Sequence, residues 1–108
     1  MNILQWNARS FMANKESLEI FLFNNEKDVD LIILSETWFN KHRNYNLKNF
    51  NCVRKDRMDN RGGSAIFIRT NILSKFFNID IGSVDKDICQ ICAIEINYNK
   101  RKYYIVSI

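Results

Sequence analysis

Asp30-Leu31-Ile32-Ile33-Leu34-Ser35 leads into Glu36, and Asn2-Ile3-Leu4-Gln5-Trp6 leads into Asn7. These two stretches decide the fold. The first is a near-continuous apolar run of strand length, as expected of a strand buried on both faces. Between them, Met12 to Glu26 reads as a helix. Leu18, Phe21 and Leu22 fall at helical spacing, Ile20 and Phe23 widen the apolar stripe, and Asn14 is a candidate N-cap. Strand, helix and strand within about thirty-five residues make a layered α/β opening. Such folds place their chemistry at the carboxyl ends of strands. If the two strands are neighbours, the Asn7 amide oxygen and a Glu36 carboxylate oxygen converge on one hard cation. Mg²⁺ suits such a site, because it takes one or two protein oxygens and keeps several waters. Each residue also has an ordinary structural role, Asn as a turn former and Glu as a helix-entry residue.

Working outward, Asn40 to Asn51 has no period and reads as a loop. Residues 51–57 and 64–69 read as a hairpin closed at Asp59-Asn60-Arg61-Gly62-Gly63. The two glycines serve that turn, and Arg61 stands within reach of a phosphate. Residues 70–87 carry no assignable element, with Gly82 and Asp85 marking turns. Residues 88–96 and 103–108 read as a second hairpin, joined by the polar stretch Asn97 to Lys102.

The chain has 108 residues, 46% hydrophobic and 26% charged, so it holds one domain at most and has a globular composition. No apolar run is long enough to cross a bilayer, and the first residues lack a signal-peptide pattern. The expectation is an intracellular protein, cytoplasmic or nuclear, with no membrane partner. Cys52, Cys89 and Cys92 cannot form a closed disulfide set. Cys89 and Cys92 have CxxC spacing, but on a strand at 88–96 they point to opposite faces, so they read as small core residues. The net charge of +4 is concentrated in one place. Lys41, Arg43, Lys48, Arg54, Lys55, Arg57 and Arg61 stand against only Asp56 and Asp59, interleaved with Phe39, Tyr45 and Phe50. Such a stretch is either a phosphate-backbone footprint or a solvated loop that keeps the protein soluble.

Leu4-Gln5-Trp6-Asn7-Ala8-Arg9-Ser10, Ser35-Glu36-Thr37-Trp38-Phe39 and Arg61-Gly62-Gly63-Ser64-Ala65-Ile66-Phe67 follow in that order. Together they resemble the first half of an endonuclease/exonuclease/phosphatase domain of the DNase I-like superfamily. The likeness is greatest to the apurinic-type endonuclease domain of Jockey-like non-LTR retrotransposons, and it covers essentially the whole chain. It implies the DNase I-like four-layer α/β sandwich, in its N-terminal portion only: one mixed β-sheet with a flanking helix. Residues 1–108 would then be a partial domain, truncated on the C-terminal side. The resemblance further implies hydrolysis of phosphodiesters with Mg²⁺ (or Mn²⁺), DNA as the partner, and no small-molecule cofactor. A DNA endonuclease of this type nicks target DNA for a mobile element and is followed by a reverse transcriptase region. On the matching positions Glu36 would be the metal-binding carboxylate and Asn7 its hydrogen-bonding or metal-side partner. Arg9, Lys41, Arg43, Arg54, Lys55, Arg57 and Arg61 would contact DNA.

The chain departs from the family pattern in several places. Arg9 stands where some members carry an Asp, which thins the metal shell or puts a guanidinium on the phosphate. The family's catalytic Tyr, Asp-x-Asn and Ser-Asp-His elements do not occur. The lone His42 does not match the catalytic histidine and reads as an exposed loop residue. The strand pattern Tyr103 to Ile108 has no proline-rich turn after it, and the chain has no proline. The expectation is the first portion of a longer reading frame, inactive alone, with Ile94, Ile96, Ile105 and Val106 lacking part of their cover. Two alternatives stand beside the nuclease: a phosphatase or phosphodiesterase of the same superfamily acting on another substrate, and a non-catalytic nucleic-acid-binding remnant.

Overall fold

The computed structural model describes residues 1–25, 29–79 and 89–108. Strand β1 (Ile3–Asn7) is followed by helix α1 (Phe11–Asn25), β2 (Leu31–Ser35), β3 (Phe50–Lys55), β4 (Ser64–Arg69), β5 (Leu73–Phe76), β6 (Cys92–Tyr98) and β7 (Arg101–Ser107). The first four strands form a mixed sheet in the order β1-β2-β4-β3. β1 and β2 run parallel with Asn7 opposite Ser35, while β2–β4 and β4–β3 are antiparallel. β5, β6 and β7 form a second, antiparallel sheet.

Period-2 alternation assigns the two faces of the mixed sheet. Leu4, Trp6, Ile32, Leu34, Cys52, Ala65 and Phe67 face α1 and the 37–49 loop, where Phe11, Leu18, Leu22, Phe39, Tyr45 and Leu47 cover them. Leu31, Val53, Ile66 and Ile68 face the other way and meet Cys92, Ile94, Ile96, Tyr103 and Ile105 of the second sheet. β4 lies between both layers, and Ser64 through Ile68 are all buried. The result is a helix, a mixed sheet and an antiparallel sheet in three layers. No helix among the described residues is long and apolar enough to cross a membrane.

The mixed sheet with its flanking helix is as the sequence leads one to expect. The second sheet goes beyond that expectation, and it corrects the reading of Ile94 and Ile96 as partly uncovered. Both are fully buried, because Leu31, Ile66 and Ile68 offer them an apolar face. Val106 is exposed as expected, on the outer side together with Tyr104, while Ile105 turns inward. β5 lies in the stretch 70–87 to which the sequence assigns no element; the turns read at Gly82 and Asp85 lie outside the described residues. The start of the 88–96 strand moves to Cys92, so Cys89 belongs to the lead-in. The second hairpin closes through Asn99 and Lys100 alone, at φ 50° and 64°, the left-handed pair of a type I′ turn. The polar linker read at Asn97 to Lys102 is therefore mostly strand.

Two details of α1 differ as well. Its N-cap is Ser10, whose Oγ accepts the Ala13 N–H at 3.2 Å. Asn14 sits inside the first turn, and its Nδ2 donates back to the Ala8 carbonyl at 2.8 Å. The buried stripe holds only Phe11, Leu18 and Leu22, whereas Ile20, Phe21 and Phe23 are exposed. At 3.6 residues per turn, positions 20 and 23 lie roughly 200° and 140° around the axis from Leu18. Glu26, the expected last helical residue, lies outside the described residues.

The inter-sheet core makes a direct test. Ile94→Ala should cost about 2–5 kcal/mol. Val106→Ala, on the outer face of the same hairpin, should stay within about 1 kcal/mol. Urea unfolding of the two variants checks it: equal losses would mean that the second sheet does not pack on the first.

Candidate active site

Asn7 closes β1 and Glu36 follows the last residue of β2, so the parallel pairing carries both to the same end of neighbouring strands. Their side chains touch: Asn7 Nδ2 donates to Glu36 Oε2. Asn7 Oδ1 accepts the Arg9 N–H at 3.3 Å. The amide is therefore used at both ends, as an orienting partner that presents the carboxylate. Asn7 is exposed and Glu36 half-buried, so the pair opens to solvent.

The backbone that carries Glu36 is unusual. Glu36 and Trp38 adopt φ 50° and 54°, a left-handed conformation that costs an L-residue about 1–2 kcal/mol. Backbone bonds from two sides hold it. From the β1–α1 connection, Ser10 N–H donates to the Glu36 carbonyl at 3.0 Å and Phe11 N–H to the Thr37 carbonyl at 2.9 Å. From the β3–β4 turn, the Gly62 carbonyl accepts Trp38 N–H at 2.9 Å, and the Gly63 carbonyl accepts Thr37 N–H at 3.5 Å. Gly63 is at φ 87°, and a Cβ there would lie 2.6 Å from Thr37 Oγ1. The glycine is required by this close approach as well as by the turn.

The basic residues divide into two groups. Arg54 turns inward: its guanidinium lies over the rings of Phe39 and Tyr45 at 5.2 and 5.3 Å. Its Nη2 bonds the Asn40 and Lys41 carbonyls at 3.3 Å each and pairs with Asp56 at 3.1 Å. Arg54 is thus a latch for the loop that follows Glu36. Burial raises the Asp56 carboxyl above its usual range, against the pull of the Arg54 charge. Lys55 lies over Phe76 at 5.5 Å. Arg9, Lys41, Arg43 and Arg61 are exposed. Lys41 Nζ rests 3.6 Å from Met58 Sδ, and half-exposed Arg57 pairs with Asp59 at 3.2 Å. Arg61 stacks on Trp38 at 5.4 Å. That places an aromatic–guanidinium pair two residues from Glu36, a surface on which a base can stack. Trp38 is absent from the residues picked out by sequence; its place in Ser35-Glu36-Thr37-Trp38 was the available signal.

His42 is an exposed loop residue whose N–H bonds Asn40 Oδ1 at 2.9 Å. Cys92 lies in the core, its Sγ 3.6 Å from Ser64 Oγ. Burial pushes the Cys52 thiol up to about 12, so it stays a neutral, inert group. Among the described residues no three His, Cys, Asp or Glu side chains gather to hold a metal. A cation here would rest on the Glu36 carboxylate and otherwise on water, since Asn7 turns its Nδ2 to that carboxylate and its Oδ1 to Arg9; one carboxylate with several waters fits Mg²⁺ and does not fit zinc.

No family model matches this sequence, and no curated protein does. Among solved structures the chain is similar to the 3'-5' exonuclease NExo of Neisseria meningitidis, with a TM-score of 0.66 at 17% identity. The match takes in 96% of this chain and 40% of the exonuclease, so the chain spans well under half of that protein's length.

The Gly63–Thr37 contact yields a prediction. Gly63→Ala should destabilise the protein by about 2–4 kcal/mol, combining left-handed strain with overpacking. In a Thr37→Ala background the same change should cost measurably less, since the atom it strikes is gone. A double-mutant cycle by thermal unfolding measures this coupling, and strict additivity would contradict the geometry. At this similarity the chain shares the mixed α/β fold of that exonuclease over the portion that these residues cover.

Proposed function

We propose that this chain is a portion of a divalent-metal-dependent nuclease that cleaves phosphodiester bonds in DNA, an endonuclease of the kind carried by non-LTR retrotransposons. One observation carries the reading: Asn7 and Glu36 meet at the carboxyl ends of adjacent parallel strands, on a fold shared with an exonuclease. The retrotransposon assignment rests on the three ordered sequence motifs.

Glu36 would hold Mg²⁺ or Mn²⁺, which when bound supplies positive charge against a scissile phosphate. Asn7 fixes the rotamer of that carboxylate. Glu36 stands just past the end of β2, half-buried beside exposed Asn7, where a phosphate can approach. Trp38 with Arg61 would bear a neighbouring base or phosphate. Arg9, Lys41, Arg43 and Arg57 would add longer-range attraction to the DNA backbone. Exposed Lys55 stays with that group, whereas Arg54 is assigned to the fold, because its guanidinium is occupied by two loop carbonyls, Asp56 and the Phe39 and Tyr45 rings.

Nicking of supercoiled plasmid by the natural protein that carries these residues tests the reading. With Mg²⁺ present, Glu36→Gln should lower the rate by about a hundredfold or more, a loss of at least about 2.7 kcal/mol of transition-state stabilisation. Thermal unfolding should be unchanged. Unaltered nicking would remove Glu36 from the chemistry. DNA binding should weaken steeply with salt. Arg57→Glu with Arg61→Glu should lower affinity for all sequences alike and reduce the salt slope by roughly 1–2. A change of sequence preference with an unchanged slope would assign these residues to base reading instead.

A further inference from the structure

Glu36 is held by a turn, and that turn is held from the other sheet. The Gly62 and Gly63 carbonyls receive the Trp38 and Thr37 N–H groups, so the β3–β4 turn sets where the backbone after Glu36 lies. The turn itself is tied by a residue of the lead-in to β6. Gln90 Oε1 accepts the Gly63 N–H at 3.1 Å, and the Gln90 carbonyl accepts Ser64 Oγ–H at 3.0 Å. The same Oε1 sits 3.0 Å from the point where a Gly62 Cβ would stand. The side-chain amide is therefore packed into the turn as well as bonded to it.

The Thr37 side chain adds no tie of its own to residue 63. Thr37 Oγ1 is buried without a hydrogen-bond partner, and it faces a glycine that has nothing to offer it. Non-glycine residues with positive φ persist only where their surroundings over-determine them. Here the determining bonds number two from the β1–α1 side and two from the turn. The turn bonds depend on Gly63 keeping its place.

We propose that Gln90 is a positioning residue for Glu36. It carries the second sheet's hold on the Gly62–Gly63 turn through to the backbone of residues 37 and 38, and so fixes where the Glu36 carboxylate is presented. The inference deepens the reading of Glu36 as a metal-binding carboxylate and rests on it for its consequence in binding. The positioning itself can be measured without a metal.

The test uses the natural protein, Mn²⁺ as the probe, and four forms: wild type, Gln90→Met, Gln90→Glu and Glu36→Gln. Methionine keeps the length and packing of Gln90 but has no oxygen acceptor, whereas glutamate retains one. Mn²⁺ binding is read by electron paramagnetic resonance, and hydrogen exchange of the Thr37 and Trp38 amides is read beside that of the β6 amides. Gln90→Met should weaken Mn²⁺ binding about tenfold, the scale on which outer-shell partners act. It should also speed exchange at Thr37 and Trp38 selectively, and Gln90→Glu should restore both. Loss of stability with uniform faster exchange and unchanged affinity of the folded protein would make Gln90 merely structural and overturn the proposal. Unchanged exchange at Thr37 and Trp38 would overturn it as well. If Glu36→Gln leaves Mn²⁺ binding intact, the metal reading fails; selective exchange in Gln90→Met would then still uphold the positioning, and its absence would defeat both.

Discussion

The candidate site depends on one place where a turn lies against a buried side chain so closely that no Cβ fits between them. Gly63 lies against Thr37 with no room for a Cβ, and this lets the β3–β4 turn receive the N–H groups of residues 37 and 38. Those bonds help to keep Glu36 and Trp38 at positive φ, and that conformation takes the chain out of β2 while leaving the carboxylate beside Asn7. The next residue, Ser64, starts the one strand that pairs with both β2 and β3. A single glycine therefore joins the geometry of the site to the centre of the mixed sheet.

Around that contact, side chains do what regular secondary structure does elsewhere. The 37–49 loop has no strand or helix, yet Phe39, Tyr45 and Leu47 in it are buried. Phe39 stacks on Tyr45 at 4.0 Å, and Phe11 meets both edge-on. Arg54 then closes over the two rings and donates to the Asn40 and Lys41 carbonyls of the loop, the first of which also accepts the Arg43 N–H. Buried backbone acceptors must be satisfied somewhere, and a guanidinium with five donors satisfies several at once. The loop after Glu36 is thus rigidified from below, while its outer surface keeps Lys41 and Arg43 free to face solvent.

How much of this could be read beforehand follows from the kind of signal each part leaves. The apolar run at 31–34 and the turn residues at 59–63 are local, and they led to β2 and to the β3–β4 hairpin. Asn7 and Glu36 could be paired because each directly ends an apolar run, and parallel neighbours bring such ends together. β5 left little trace, since Leu73-Ser74-Lys75-Phe76 is an edge strand of four residues that is largely exposed. Arg54 could not be separated from Arg57 by composition. What separates them is register: Arg54 shares the α1-facing side of β3 with Cys52. Ser10 and Asn14 are both good caps, and only the observed start of α1 at Phe11 decides between them. Gln90 leaves no local signal, because its partner lies 27 residues away across the gap between sheets.

The two-residue connection of the second hairpin has a consequence for the order in which the molecule assembles. Asn99 and Lys100 already hold the turn conformation that matches strand twist, so β6 and β7 can zip on the timescale of roughly 1–10 μs typical of a hairpin. β1 must find β2 across α1, and β2 must find β4 across β3, in both cases after a much longer loop has closed. Loop-closure entropy penalises those searches. Asn7 and Gln90, the outermost residues of the candidate site, lie more than eighty positions apart. A candidate site built from such distant segments is complete only when every long-range pairing has formed, so a half-folded chain of this topology does not yet hold Asn7, Glu36 and Gln90 together.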